Sequence, residues 1–268
     1  MFSDRQTTPW QWFHPIPWWV DLSFHDAPPL FFWFEHLGFR LLGVSSLSAV
    51  YLSVVAGLGS AIALYLLLKA HFSRSRALLG LVALITLNPF VWIHRVALLE
   101  SLMIPFILIT WYAYLRAEND KRWYWLVGLG GGLALATKYT AIFLILAIVS
   151  HLSYKRVKDW RHRHWWEGLI VSFVIVSPII LYNFFMVINR GHFDVQLAAL
   201  FGQSIYDWPG LVTKVRTNIF SGLGPTLASM GAFYSWPIVI IAMWSAYRLL
   251  HYRRSKEALS STAWFTLL

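Results

Sequence analysis

Three short segments carry the side chains of this chain that could do chemistry. Between Asn88 and Glu100 (NPFVWIHRVALLE) an arginine, Arg95, and a carboxylate, Glu100, lie between two long apolar runs. Earlier in the chain, His25 and Asp26 precede the double proline Pro28-Pro29, and later Lys138-Tyr139 interrupts another apolar stretch. A carboxylate can take a proton from an attacking hydroxyl, and cations can stabilise an anion as its charge develops. Charged side chains beside hydrocarbon are costly to desolvate, which ties them to function by default. Each segment also has a plainer reading. Asp26 could cap a helix, Arg95 and Glu100 could pair at a helix start, and Lys138 could snorkel to an interface.

The elements that must hold these residues are membrane helices. Hydrophobic residues make up 58% of the 268 and charged residues 13%, against roughly 45–50% and 25% in soluble domains. Mean hydropathy is +0.56. The formal charge of +10 would suggest nucleic acid in a soluble protein. Here the basic residues cluster between apolar runs, as the positive-inside rule requires, and nucleic acid is excluded as a partner. There is no cysteine, hence no disulfide framework and no thiolate metal site. Residues 1–29 lack the basic start and apolar core of a signal peptide.

Three spans are plain: 47–69, 167–188 and 225–250, each long enough for a hydrocarbon core of about 30 Å. Two other stretches are interrupted, 77–117 by Asn88, Pro89, His94, Arg95 and Glu100, and 123–154 by Lys138. Basic clusters flank them: Lys69, Arg74 and Arg76; Arg116, Lys121 and Arg122; and the run from Lys155 to Arg163. If these clusters share the cytoplasmic side, each interrupted stretch crosses twice. The fold expected is therefore an all-α bundle of seven spans, 47–69, 77–93, 100–116, 123–137, 139–154, 167–188 and 225–250, with an eighth beginning at Phe265. Gly128, Gly130, Gly131 and Gly132 are expected to let the two short arms of the second hairpin approach closely.

This topology sends residues 1–46, the Asn88–Glu100 turn, the Lys138 turn and the loop 189–224 to the outer face, with 251–268 returning to the cytoplasm. Asp21, Asp26, Arg95, Glu100 and Lys138 then share one side. The segment Leu30–Gly43 (LFFWFEHLGFRLLG) reads as a juxtamembrane helix lying in the interface, with Glu35, His36 and Arg40 along one side. The chain as a whole is expected to be one domain. An outer N-terminus with no earlier span, and a C-terminus inside an apolar run, suggest a fragment lacking the first span and the C-terminal part.

The stretch from Phe24 to Lys138 resembles the polytopic glycosyltransferases of the C-type fold, which include the dolichyl-phosphate-mannose–protein mannosyltransferases and the lipid A aminoarabinose transferases. Three motifs carry the likeness, in the family's order: FHDAPPLFFWFEHLGFRLLG, then Pro89 to Glu100 with RVALLE, then GLALATKYT around Lys138. Two departures stand out. Ala27 occupies the place where the family has Lys or His before the double proline, leaving His25 to supply a cation. The family's first acidic motif, in the loop after its first span, is not recognisable.

The resemblance implies transfer of a sugar from a polyprenyl-phosphate carrier to a glycan, lipid or protein acceptor outside the membrane, the prokaryotic inner membrane being the expected site. Glu100 and Asp26 are the catalytic candidates. Arg95, Lys138, His25 and Arg190 are the phosphate-binding candidates, with Lys214 and Arg216 in the same outer loop; arginine makes the better fork for phosphate. No motif demands a metal, and neither the sugar nor a need for a divalent ion is set by the residues. The competing class is a transporter or flippase subunit for lipid-linked glycans. That class would place charges at mid-span, whereas the interiors of 47–69, 100–116 and 225–250 carry no acidic or basic residue.

Overall fold

The computed structural model describes residues 27–201 and residue 203. Every regular element among them is helical: α1 (Leu30–Leu42), α2 (Ser46–His71), α3 (Arg74–Ile85), α4 (Asn88–Arg95), α5 (Leu99–Arg116), α6 (Tyr124–Thr137), α7 (Ile142–Lys155), α8 (Arg163–Arg190) and α9 (Val195–Leu200). Short 3-10 turns at Lys121–Trp123, Tyr139–Ala141 and Val157–Arg161 join α5 to α6, α6 to α7 and α7 to α8. The expected span 225–250 and the start of the next lie outside the described residues.

Two helices, α2 and α8, are long and apolar enough to cross a membrane, and α3 with α4 forms a third apolar unit bent by 63°. The bend differs from the sequence expectation. The expected span 77–93 was to run unbroken into the turn before Glu100; instead Asn88–Arg95 is a separate helix, because Pro89 sits in its first turn, where the missing N–H costs nothing and φ is already helical. The chain turns twice instead, at Thr86–Leu87 and again at Val96–Leu98.

Local chemistry sets the other boundaries. Gly43 ends α1 at φ 80°, ψ 165°, a region essentially restricted to glycine. Ser45 then opens α2 with a reciprocal capping box: its hydroxyl accepts from the Ser48 N–H at 3.1 Å, and its own N–H donates to Ser48 Oγ at 2.9 Å. These contacts satisfy two of the orphan donors at the helix start.

In the bundle, α1 lies on α2, α2 on α5, α5 on α6 and α6 on α8, with α3 and α4 beside α2. Three of the four α6 glycines, Gly128, Gly130 and Gly132, serve this packing and not the α6–α7 hairpin expected of them; only at Gly131 would a Cβ meet α7, at Ile145, 3.8 Å away. A Cβ on Gly128 would lie 1.9 Å from the carbonyl oxygen of Gly168 in α8, and one on Gly130 would lie 2.4 Å from Thr110 Oγ1 in α5. The four glycines were read against the nearest helix in sequence, whereas a 14-residue α6 presents small faces to α5 and α8 on either side. The arm α7 contributes chiefly at its far end, where Ile148 and Leu152 join Ala113, Tyr114, Tyr124, Val127 and Trp165 in a buried cluster.

That end of the bundle is closed by charge. Asp159 Oδ2 accepts from Lys121 Nζ and Arg156 Nε, both at 2.9 Å, and from the Tyr124 hydroxyl at 2.7 Å. The Arg156 guanidinium lies 4.9 Å from the Tyr114 ring centre and donates to the Tyr114 carbonyl at 3.1 Å. Burial pushes the Asp159 carboxyl up, but the hydrogen bonds from Tyr124 and Lys121, with the charge of Arg156, outweigh it and hold its pKa below the usual aspartate range. These are residues of the basic clusters that the charge pattern assigned to the cytoplasmic side.

Candidate active site

At the opposite end of α5 and α6, Glu100 stands in the first turn of α5, where the helix dipole favours a carboxylate. Its position is pinned by its neighbour: Ser101 Oγ donates to the Leu98 carbonyl at 2.6 Å and lies 2.9 Å from Ser53 Oγ on α2, both serines fully buried. Lys138 is the C-cap residue of α6, in extended conformation at φ −158°, ψ 135°. Its ammonium forms an ion pair with Glu100 Oε1. Both side chains are partly open, at 22% and 34% of their full exposure, so the pair can be reached from outside the protein.

Arg95 ends α4, is exposed, and makes no ion pair among the described residues. Its neighbour His94 is buried, with Nδ1 2.8 Å from the Phe90 carbonyl and Nε2 3.5 Å from Ser60 Oγ. A Cβ on Gly57 would lie 3.0 Å from the His94 ring, so α4 sits directly on α2 and carries Arg95 at its free end.

A second packing cluster connects this end to the N-terminal segment. Ala27, Phe31 and Phe32 pack with Ala56, Leu102, Leu52, Ala97 and Leu99. The residue just before the double proline thereby shares one apolar cluster with Ala97 and Leu99, which lie between Arg95 and Glu100. Glu35 turns inward with Phe31 and Phe32 instead of lining a polar face with His36 and Arg40, and burial pushes its pKa from 4.5 to about 7. The sequence placed it with the polar residues because a carboxylate is seldom buried without a partner.

Of the six site candidates, the structure brings Glu100 and Lys138 into contact and places Arg95 at the end of the helix before α5. His25 and Asp26 lie outside the described residues, as does the side chain of Arg190. An apolar cavity lies between α5, α6, α7 and α8, lined by Thr110, Val127, Gly131, Ile148, Trp165 and Ser172, and none of the candidate charges borders it. Among the described residues no three His, Asp or Glu side chains gather as a metal site.

A buried network beside Lys138 escaped the sequence reading. Asp194 Oδ2 accepts from the Tyr139 hydroxyl and from Asn183 Nδ2 (2.9 Å), and its other oxygen accepts from the Leu197 N–H at 3.0 Å. An aspartate before VQLAAL is a recognisable cap signal, but nothing local announces its second partner on another helix.

The model of the dolichyl-phosphate-mannose-protein mannosyltransferase family matches residues 26–182, which include Glu100, Lys138 and Arg95. The chain belongs to that family. Among relatives of this mannosyltransferase-family chain, an uncharacterized protein of Aquifex aeolicus (strain VF5) is 25% identical over 165 residues, covering 59% of this chain and 33% of the relative. Protein O-mannosyl-transferase 1 of Danio rerio is 27% identical over 148 residues, covering 52% of this chain and 20% of that protein. The chain thus spans about a third and a fifth of the length of these two relatives. No solved structure matches it.

Proposed function

We propose that the full-length protein is an integral membrane glycosyltransferase that moves a sugar from a polyprenyl-phosphate carrier to a hydroxyl acceptor on the outer side of the membrane. The observation that carries this reading is the Glu100–Lys138 pair, a carboxylate and a cation joined across α5 and α6 within the segment shared with the family. In the reaction, the acceptor oxygen attacks the anomeric carbon. The bond from that carbon to the phosphate oxygen breaks, and its electron pair leaves with the lipid phosphate. Glu100 takes the hydroxyl proton as general base. Lys138 and Arg95, with His25 and Arg190, stabilise the departing phosphate, and Lys138 moves from carboxylate to phosphate as that charge appears. Asp26 has a positioning or acid–base role. Its neighbour Ala27 shares an apolar cluster with Leu99 and Leu102, which supports its inclusion.

The same reading has the chain as one domain with seven spans, α1 in the outer interface, and the Lys138 end of α6 outside. An impermeant thiol reagent on intact cells tests the direction: Ser204→Cys is labelled and Ser255→Cys is not, and the reverse pattern overturns it. For the chemistry, full-length protein carrying Glu100→Gln is assayed for transfer from a panel of polyprenyl-phosphate sugars, mannose included. The expected loss is about 10²–10³ in turnover. Wild-type turnover in a folded variant removes Glu100 from the mechanism.

A further inference from the structure

The loop after α8 is fastened to the Lys138 turn by three side chains that lie on separate elements. Asp194 is 1% exposed and Asn183 5% exposed. Asn183 Nδ2 reaches the Tyr139 hydroxyl oxygen at 3.0 Å and Asp194 Oδ2 at 2.9 Å, while Asn183 Oδ1 accepts from the Asp194 N–H at 2.9 Å. The Tyr139 hydroxyl donates to Asp194 Oδ2. The aspartate therefore uses one oxygen to start α9 and the other to grip Tyr139, and the asparagine closes the triangle. Tyr139 directly follows Lys138, whose extended backbone sends the two neighbours apart, the lysine to Glu100 and the tyrosine to Asp194.

We propose that Asp194, acting through Tyr139, is a positioning residue that sets the reach of Lys138 toward Glu100, and that the loop after α8 is by this means a working part of the site. Neither Asp194 nor Asn183 falls within the segment matched to the family, which ends at residue 182. The inference rests on the glycosyl-transfer reading for its effect on rate, but its geometric content is separate. With the network intact, the Lys138 turn cannot drift without breaking buried hydrogen bonds, which are costly to leave unmade. Without it, the turn loses its buried tie to the loop after α8, and a misplacement of about 1 Å at a reacting group can cost on the order of 100-fold in rate.

The test uses Asp194→Asn and Tyr139→Phe in the full-length protein. The asparagine offers one acceptor oxygen in place of two, so it can cap α9 or hold Tyr139 but not both, and it fills the same space. Each variant is expected to lower kcat by about 10- to 100-fold with the KM for the lipid donor within twofold, and the double variant is expected to be no worse than the poorer single one. A second readout needs no turnover. In a cysteine-free background, Glu100→Cys and Lys138→Cys are bridged by a short bifunctional thiol reagent, and bridging is expected to slow several-fold when Asp194→Asn is added.

Unchanged bridging, or wild-type kcat in both folded variants while Glu100→Gln is impaired, overturns the proposal, as does a double variant that multiplies the two single losses. If Glu100→Gln turns over normally while bridging still slows with Asp194→Asn, the glycosyl-transfer roles fall and the positioning of Lys138 by Asp194 stands.

Discussion

Lys138 and Glu100, 38 residues apart in sequence, meet as an ion pair between the C-terminus of α6 and the first turn of α5. An exposed or half-exposed pair contributes only about 0–1 kcal/mol to stability. Replacing Lys138 by Gln should therefore leave thermal unfolding in detergent almost unchanged. Transfer should fall by about 10²–10³. A loss of stability matching the loss of activity would make the pair a structural tie.

The crossing of α6 and α8 should tolerate no added methyl group at Gly168. A Cβ there would lie 2.2 Å from the Tyr124 carbonyl oxygen, whereas one on Gly131 would have its nearest neighbour at 3.8 Å. Overpacking against backbone costs typically 1–3 kcal/mol and about 3 or more where neither helix can yield. Gly168→Ala should lower the melting temperature markedly, while Gly131→Ala should be neutral or slightly stabilising through helix propensity. Equal melting temperatures would mean the helices part easily at this point.

Acid should loosen the Asp159 end of the bundle. Its folded-state pKa is depressed, so its contribution is fully present above the unfolded value near 3.9 and is lost as pH falls through the folded value. Asp159→Asn should flatten that acid limb. Asp159→Ala should cost more, about 3–5 kcal/mol at neutral pH, because it leaves the Arg156 charge buried without its partner. Urea or thermal melts from pH 3 to pH 7 would show both effects.

Glu35 should act in the opposite sense. Its folded pKa is raised from 4.5 to about 7, so the folded state keeps a proton that the unfolded state has lost between those values. Stability should fall as pH rises from about 4.5 to 7 and level off above. Glu35→Gln should remove this slope and raise the melting temperature at pH 8. A wild-type slope in the variant would assign the dependence to another group.

Much of the architecture was legible because charge interrupts apolar runs in few places. Lys138, Glu100 and the basic clusters marked the ends of α5, α6 and α7 to within a few residues, since an ionised side chain terminates a hydrophobic run whatever the tertiary fold. The hairpin argument put Glu100 and Lys138 on the same side, but their meeting as an ion pair comes from the packing of α5 on α6. What the sequence could not show is which helices are neighbours. The glycines of α6 were therefore paired with α7 when Gly128, Gly130 and Gly132 face α5 or α8, and Asp194 gave no sign that its second oxygen holds Tyr139. Pro89 was read as a breaker although its first effect is to start α4. Glu35 was misplaced because its inward turn depends on how α1 lies against α2.

If α6 crosses the membrane, as the proposed topology has it, its shortness has a consequence for the lipid around it. Fourteen residues at about 1.5 Å each make a rod of about 21 Å, with Tyr124 and the Asp159 cluster at one end and Lys138 at the other. A crossing helix of that length falls about 9 Å short of an average hydrocarbon core, and the mismatch cannot be relieved by tilt, which only shortens the span. In that topology the bilayer would thin beside α6, or water would dip in at the Lys138 end. Under the proposed function, a carrier lipid diffusing toward this helix would then meet a headgroup level closer to the midplane than elsewhere, which would draw its phosphate down to Lys138 and Glu100.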